Sequence, residues 1–125
     1  MDIEKVVDQY KELTTVRRSS EGDAHFIALP FFYPDYDESI AIKVTVQDDG
    51  RPLFSDCHTT FDYLEDRDIE LDDYREKLDR IMKNYGLILD GNVFRMPVPS
   101  DDDGVVKCYL GYFVQALTLI ARIDL

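Results

Sequence analysis

The period of the apolar positions changes along the chain. Ile3, Val6, Val7, Tyr10 and Leu13 recur at helical spacing, with Asp2, Glu4, Asp8 and Glu12 on the other side, which predicts an amphipathic helix over about residues 2–17. Ser19-Ser20-Glu21-Gly22-Asp23 has loop chemistry. His25 to Leu29 reads as a short strand closed by Pro30, followed by the aromatic, proline-bracketed stretch Phe31-Phe32-Tyr33-Pro34-Asp35-Tyr36. Ile40, Ile42, Val44 and Val46 then alternate with Ala41, Lys43 and Thr45, the clearest strand signal in the chain. Asp48-Asp49-Gly50 supplies the positive-φ chemistry of a hairpin turn, and a return strand starts at Leu53-Phe54. Thr59 to Leu64 either extends that strand or forms a short helical turn; the pattern leaves both open.

In the second half, Asp73 and Glu76 have the spacing of a capping box ahead of the stripe Tyr74, Leu78, Ile81, Met82 and Tyr85. Gly86 suits a left-handed helix end. Leu87-Ile88-Leu89, Asp90-Gly91 and Val93 to Val98 read as a strand, a turn and a partner strand. Ser100 to Gly104 reads as an acidic loop, and Val105 to Leu110 as a further strand or an extended run-in to a last helix over about 111–123. That helix carries two apolar stripes: Phe113, Val114, Leu117, Ile120 and Ala121 on one side, Tyr112, Ala116, Leu119 and Ile123 on the other. A helix apolar nearly all round must be covered twice. The expectation is a homodimer contact through Tyr112, Leu119 and Ile123. The order α-β-β-β-α-β-β-α predicts one α+β domain over residues 1–125, a mostly antiparallel sheet flanked by helices.

Composition narrows the function classes. The 125 residues are 45% hydrophobic, enough for a packed core despite a net charge of −12. Asp and Glu number 26 against 14 Lys and Arg, and they cluster at Asp35-Tyr36-Asp37-Glu38, from Glu65 to Asp73, and at Asp101-Asp102-Asp103. Only Arg17-Arg18 pairs two basic residues in sequence. Such a chain lacks the positive field that a phosphate backbone requires, so nucleic acid and anionic membrane are excluded as partners and a basic protein is favoured. No apolar run approaches the ~18–20 residues of a membrane span. Met1-Asp2-Ile3-Glu4-Lys5 lacks the regions of a signal peptide, which predicts a cytoplasmic protein with reduced Cys57 and Cys108.

Several segments, in order, resemble a bacterial and phage family, the domain of unknown function 1828. They are Ile27-Ala28-Leu29-Pro30-Phe31-Phe32, the strand Ile40 to Val46 preceded by Asp37, the run Phe54 to Leu64, Ile81 to Leu87, and Gln115-Ala116-Leu117. Asp56, Thr60 and Leu64 match the family's pattern, whereas Cys57 and His58 stand where it has Asp and Gly. The resemblance spans most of the chain and implies a phage or mobile-element setting. The family has no assigned activity, so the likeness bears on fold more than on function.

Chemistry-bearing motifs are sparse. Asp56-Cys57-His58 invites a thiolate–imidazole pair, but adjacent residues on a strand point to opposite faces, so a packed cysteine and a turn histidine are expected. His25 and His58 are the only histidines and lack metal-ligand spacing, and Asp101-Asp102-Asp103-Gly104 lacks the pattern of a calcium loop. No catalytic residue, metal or cofactor is assigned. Tyr33 and Tyr36 are expected as an exposed pair on a partner surface, with Phe31 and Phe32 capping the sheet. The leading reading is a small acidic non-enzymatic module that self-associates and binds another protein. One alternative, from length and element order alone, is a binder similar to the type III secretion chaperones; another is an acidic DNA mimic that blocks a nuclease.

Overall fold

The computed structural model describes residues 15–18, 24–33 and 39–125. Within them the chain is α+β. Strands β1 (Thr15–Arg18), β2 (Ala24–Phe32), β3 (Ser39–Val46) and β4 (Pro52–Ser55) are followed by helix α1 (Thr59–Asp66) and a 3₁₀ turn (Leu71–Tyr74). Helix α2 (Arg75–Tyr85), strands β5 (Ile88–Asp90) and β6 (Val93–Pro97), and helix α3 (Asp103–Ala121) complete it. The strands form one sheet in the order β1-β2-β3-β4-β6-β5, with every neighbouring pair antiparallel.

From β2 onward the expected succession of strands and helices is present, with α1 resolving the ambiguous Thr59–Leu64 segment as helix. The helix predicted over 2–17 overlaps β1: the β-branched Thr15 and Val16 pair with Ala28 and Ile27 instead of continuing a helical turn. The rest of that helix lies outside the described residues. β2 runs past Pro30 rather than closing at it. Its register against β3 shifts between Ala28 and Phe32, and the described pairing with β1 reaches Ala28, so the missing proline N–H falls where no described ladder bond needs it.

β3 shows why alternation reads so clearly. Ile40, Ile42 and Val44 are fully buried toward the helices, while Ala41, Lys43 and Thr45 keep some exposure on the other face. The hairpin to β4 closes with Gly50 N–H donating to the Gln47 carbonyl at 2.9 Å and Gln47 N–H to the Arg51 carbonyl at 2.9 Å. Gly50 sits at φ 83, a position that costs a side chain strain. Phe54 of β4 meets Phe113 of α3, and Phe94 of β6 stacks on Phe61 of α1, at ring separations of 5.8 and 5.4 Å. These contacts hold the helices on one sheet face.

Two helix starts differ from expectation. The Asp73–Glu76 capping box does not form: Asp73 lies inside the 3₁₀ turn, its N–H donating to the Glu70 carbonyl, and Tyr74 occupies the cap of α2 without a side-chain bond. The acidic run at 101–103 is instead a helix start. Asp102 is extended and its carboxylate accepts the Val105 N–H at 3.2 Å, so α3 begins eight residues before the expected Gly111 and Val105 to Leu110 are helical, not a strand. The expected end of α2 is present. Gly86 at φ 66 and Leu87 both donate to the Met82 carbonyl, closing the helix with a left-handed glycine cap.

Candidate functional site

The most ordered polar cluster is the turn between β4 and α1. Asp56 is fully buried, and its carboxylate accepts the N–H groups of His58 (3.3 Å), Thr60 (3.3 Å) and Phe94 (3.0 Å), with the Thr60 hydroxyl as a further donor. The Asp56 carbonyl accepts the Thr59 hydroxyl at 2.8 Å. One side chain therefore satisfies the amides at the start of α1 and ties that helix to β6. Burial pushes the carboxyl upward from its usual 3.8, and the hydrogen bonds from Thr60, Phe94 and His58 pull against that shift.

Tyr33 belongs to this cluster. It is buried, which corrects its expected place on an exposed partner surface. Its hydroxyl lies 2.7 Å from Thr60 Oγ1 and 3.1 Å from Thr59 Oγ1, and its ring stacks on Tyr63 at 5.0 Å. Only the interior of the domain offers both an aromatic partner and two hydroxyls, which outweighs exposure. Desolvation pushes the phenol up to about 12. Tyr36, the other expected residue, lies outside the described residues.

Cys57 and His58 follow Asp56 in consecutive left-handed conformations, at φ 54 and φ 71. Cys57 is half-buried and its N–H donates to Ser55 Oγ at 3.2 Å, while the His58 side chain is exposed. Among the described residues no hydrogen bond joins the two side chains, and no group of three or more His, Cys, Asp or Glu is placed to hold a metal ion. The Asp56 carboxylate is closed to substrate by its own burial. What the cluster does chemically is position a turn.

The surface of α3 is the second candidate. Phe113, Val114, Leu117, Ile120 and Ala121 are buried as expected. The second stripe divides. Ala116 and Ile123 are buried within the same chain, whereas Tyr112 and Leu119 are 48% and 42% exposed. Ile123 is therefore removed from the expected contact: the chain turns just after α3, Ile123 N–H donating to the Ile120 carbonyl, and the side chain enters the core. The Tyr112 ring meets Tyr109 edge-on at 5.5 Å, and the pair walls a shallow groove completed by Tyr85, Pro97 and Pro99. By length and composition α3 is apolar enough to cross a membrane, which corrects the sequence expectation. Eight of its residues nevertheless pack in the core of the domain, as in a core helix.

A third feature escaped the sequence reading as a site. The 3₁₀ turn and the ends of α1 and α2 enclose a pocket of about 430 Å³ against β5. Leu64, Leu71 and Leu78 form its floor, and the half-buried Phe61, Ile69 and Leu89 form its walls. Glu65, Asp68, Glu70 and Asp72 ring the mouth. The acidic run was legible, but the apolar floor is assembled from three elements and has no local signature. No family model, curated protein or solved structure matches the chain.

Proposed function

We propose that the protein is a small acidic, non-catalytic interaction module that self-associates through α3 and binds a basic protein partner. The observation that carries the reading is the pair Tyr112 and Leu119. Seven positions apart, they lie on one line of the helix and are exposed, although the other large apolar side chains of α3 are half or fully buried. Covering a large aliphatic side chain that is otherwise left in water is worth roughly 1.5–3 kcal/mol. A two-fold contact uses the same patch twice and recovers this for both chains.

The net charge of −12 supports a basic partner and argues against nucleic acid as one. The likeness to the domain of unknown function 1828 family stays part of the proposal. Its support is His58 at φ 71, a left-handed position where that family has glycine. Light scattering tests the self-association: the wild type is expected as a dimer and Leu119→Glu as a folded monomer. A monomeric wild type overturns it.

A further inference from the structure

We infer that the pocket between α1, the 3₁₀ turn and α2 is the docking site for a basic segment of a partner protein, one that inserts an apolar side chain between flanking lysines or arginines. This deepens the interaction-module reading, and rests on it for the class of partner. The volume of about 430 Å³ falls within the range of ligand-holding pockets, roughly 300–1,000 Å³. The walls supply unclaimed apolar contact, since Phe61, Ile69 and Leu89 pack against the core without being covered.

Charge selects the occupant. No described cation pairs with Glu65, Asp68, Glu70 or Asp72. The cations nearby are committed elsewhere. Arg75, the one basic side chain at the mouth among the described residues, pairs with Asp79 at 3.2 Å, and Arg67 holds the Tyr63 hydroxyl and Asp124. Lys77 donates to the main-chain oxygens of Ile123 and Leu125. Among the described residues, the mouth therefore presents carboxylates that no cation pairs with, around an apolar hole. An acidic segment is repelled, and so is a second copy of the same face, while a purely apolar segment leaves the rim unused. A basic segment with an apolar anchor satisfies both parts.

The test uses the full chain and labelled synthetic peptides: Lys-Lys-Leu-Phe-Leu-Lys-Lys, the same core flanked by glutamates, and the lysine peptide with a serine core. Anisotropy measures affinity, and amide chemical shifts locate the contact. The lysine–apolar peptide is expected to bind best, to shift Ile69, Leu71 and Leu89, and to weaken as salt rises. The double variant Glu65→Lys, Asp72→Lys is expected to weaken it about tenfold or more, with Glu65→Gln, Asp72→Asn intermediate, and both with unchanged far-ultraviolet dichroism. Equal binding of the glutamate or serine-core peptide, shifts confined to the Tyr112 face, indifference to both double variants, or no binding at all overturns the site. The peptides are also titrated into Leu119→Glu. Binding there with dissociated subunits upholds the pocket while removing dimerisation as its cause. A dimer that ignores the peptides keeps the self-association and rejects the pocket.

Discussion

The Asp56 carboxylate accepts the backbone N–H of Phe94 at 3.0 Å across a separation of 38 residues, joining the turn before α1 to the start of β6. The same carboxylate serves the amides of His58 and Thr60. Its removal strands three amide donors, each costing about 1–3 kcal/mol when left without a partner. Asp56→Ala is therefore expected to lose about 3 kcal/mol or more in urea unfolding. Asp56→Asn should lose less, because the remaining amide oxygen still accepts from Phe94 and His58. A loss below about 1 kcal/mol for the alanine variant refutes this role.

The same residue fixes the sign of one pH effect. Burial raises the Asp56 carboxyl above its usual 3.8, so over the window just above that value the folded state binds more protons than the unfolded one. Its contribution to stability is full below the unfolded pKa and falls as pH rises through the folded one. Asp56→Asn removes this component. The difference in unfolding free energy between wild type and variant should therefore drift with pH above 3.8, in the direction of a relatively weaker wild type. A difference that is flat, or drifts the other way, contradicts the assignment.

Tyr33 supplies the alkaline counterpart. Its phenol is pushed from 10.0 up to about 12 by burial, so the folded state keeps a proton that the unfolded chain gives up. That stability is complete below pH 10 and is lost as pH rises toward about 12. Tyr33 should therefore ionise late, and Tyr33→Phe should delete that late component from the phenolate absorbance titration. An unchanged late component places it on another tyrosine.

His58 holds φ 71 with an exposed side chain and no cap hydrogen bond, so the imidazole contributes no contact to offset its backbone strain. His58→Gly is expected to stabilise the fold by about 0.5–1 kcal/mol, the left-handed penalty less the extra entropy of glycine. Thermal unfolding reads the result, and a lower midpoint for the variant rejects the argument.

What was legible in the sequence had a local cause. Ile40, Ile42 and Val44 announce their strand because each faces one continuous core, and Gly86 announces a helix end because its φ of 66 suits glycine. The misreadings arose where distant residues decide. Tyr33 sits in an aromatic, proline-rich stretch that looks like surface, and the distant hydroxyls of Thr59 and Thr60 with the Tyr63 ring bring it inside. Asp102 reads as one of three solvated carboxylates until Val105 donates to it and opens α3. The pocket beside Leu71 and Leu78 needs α1, α2 and β5 assembled before its floor exists.

The end of the last helix offers a sharp contrast between a residue on it and one just past it. Leu119 and Ile123 are four positions apart, yet the first is 42% exposed and the second 1%. The same chemical change should therefore give two different outcomes. Ile123→Glu places a carboxylate among the buried apolar side chains of the core and is expected to cost more than about 3 kcal/mol, enough to unfold much of the population. Leu119→Glu meets solvent in the isolated chain and should leave the unfolding free energy of the monomer within about 0.5 kcal/mol. In solution its effect should appear only in mass, as dissociation seen by light scattering, and in the loss of any concentration dependence of the wild-type midpoint. Unfolding of both variants would mean that Leu119 is part of the same intramolecular core. A folded Leu119→Glu with unchanged mass would mean that the α3 face is not the subunit contact.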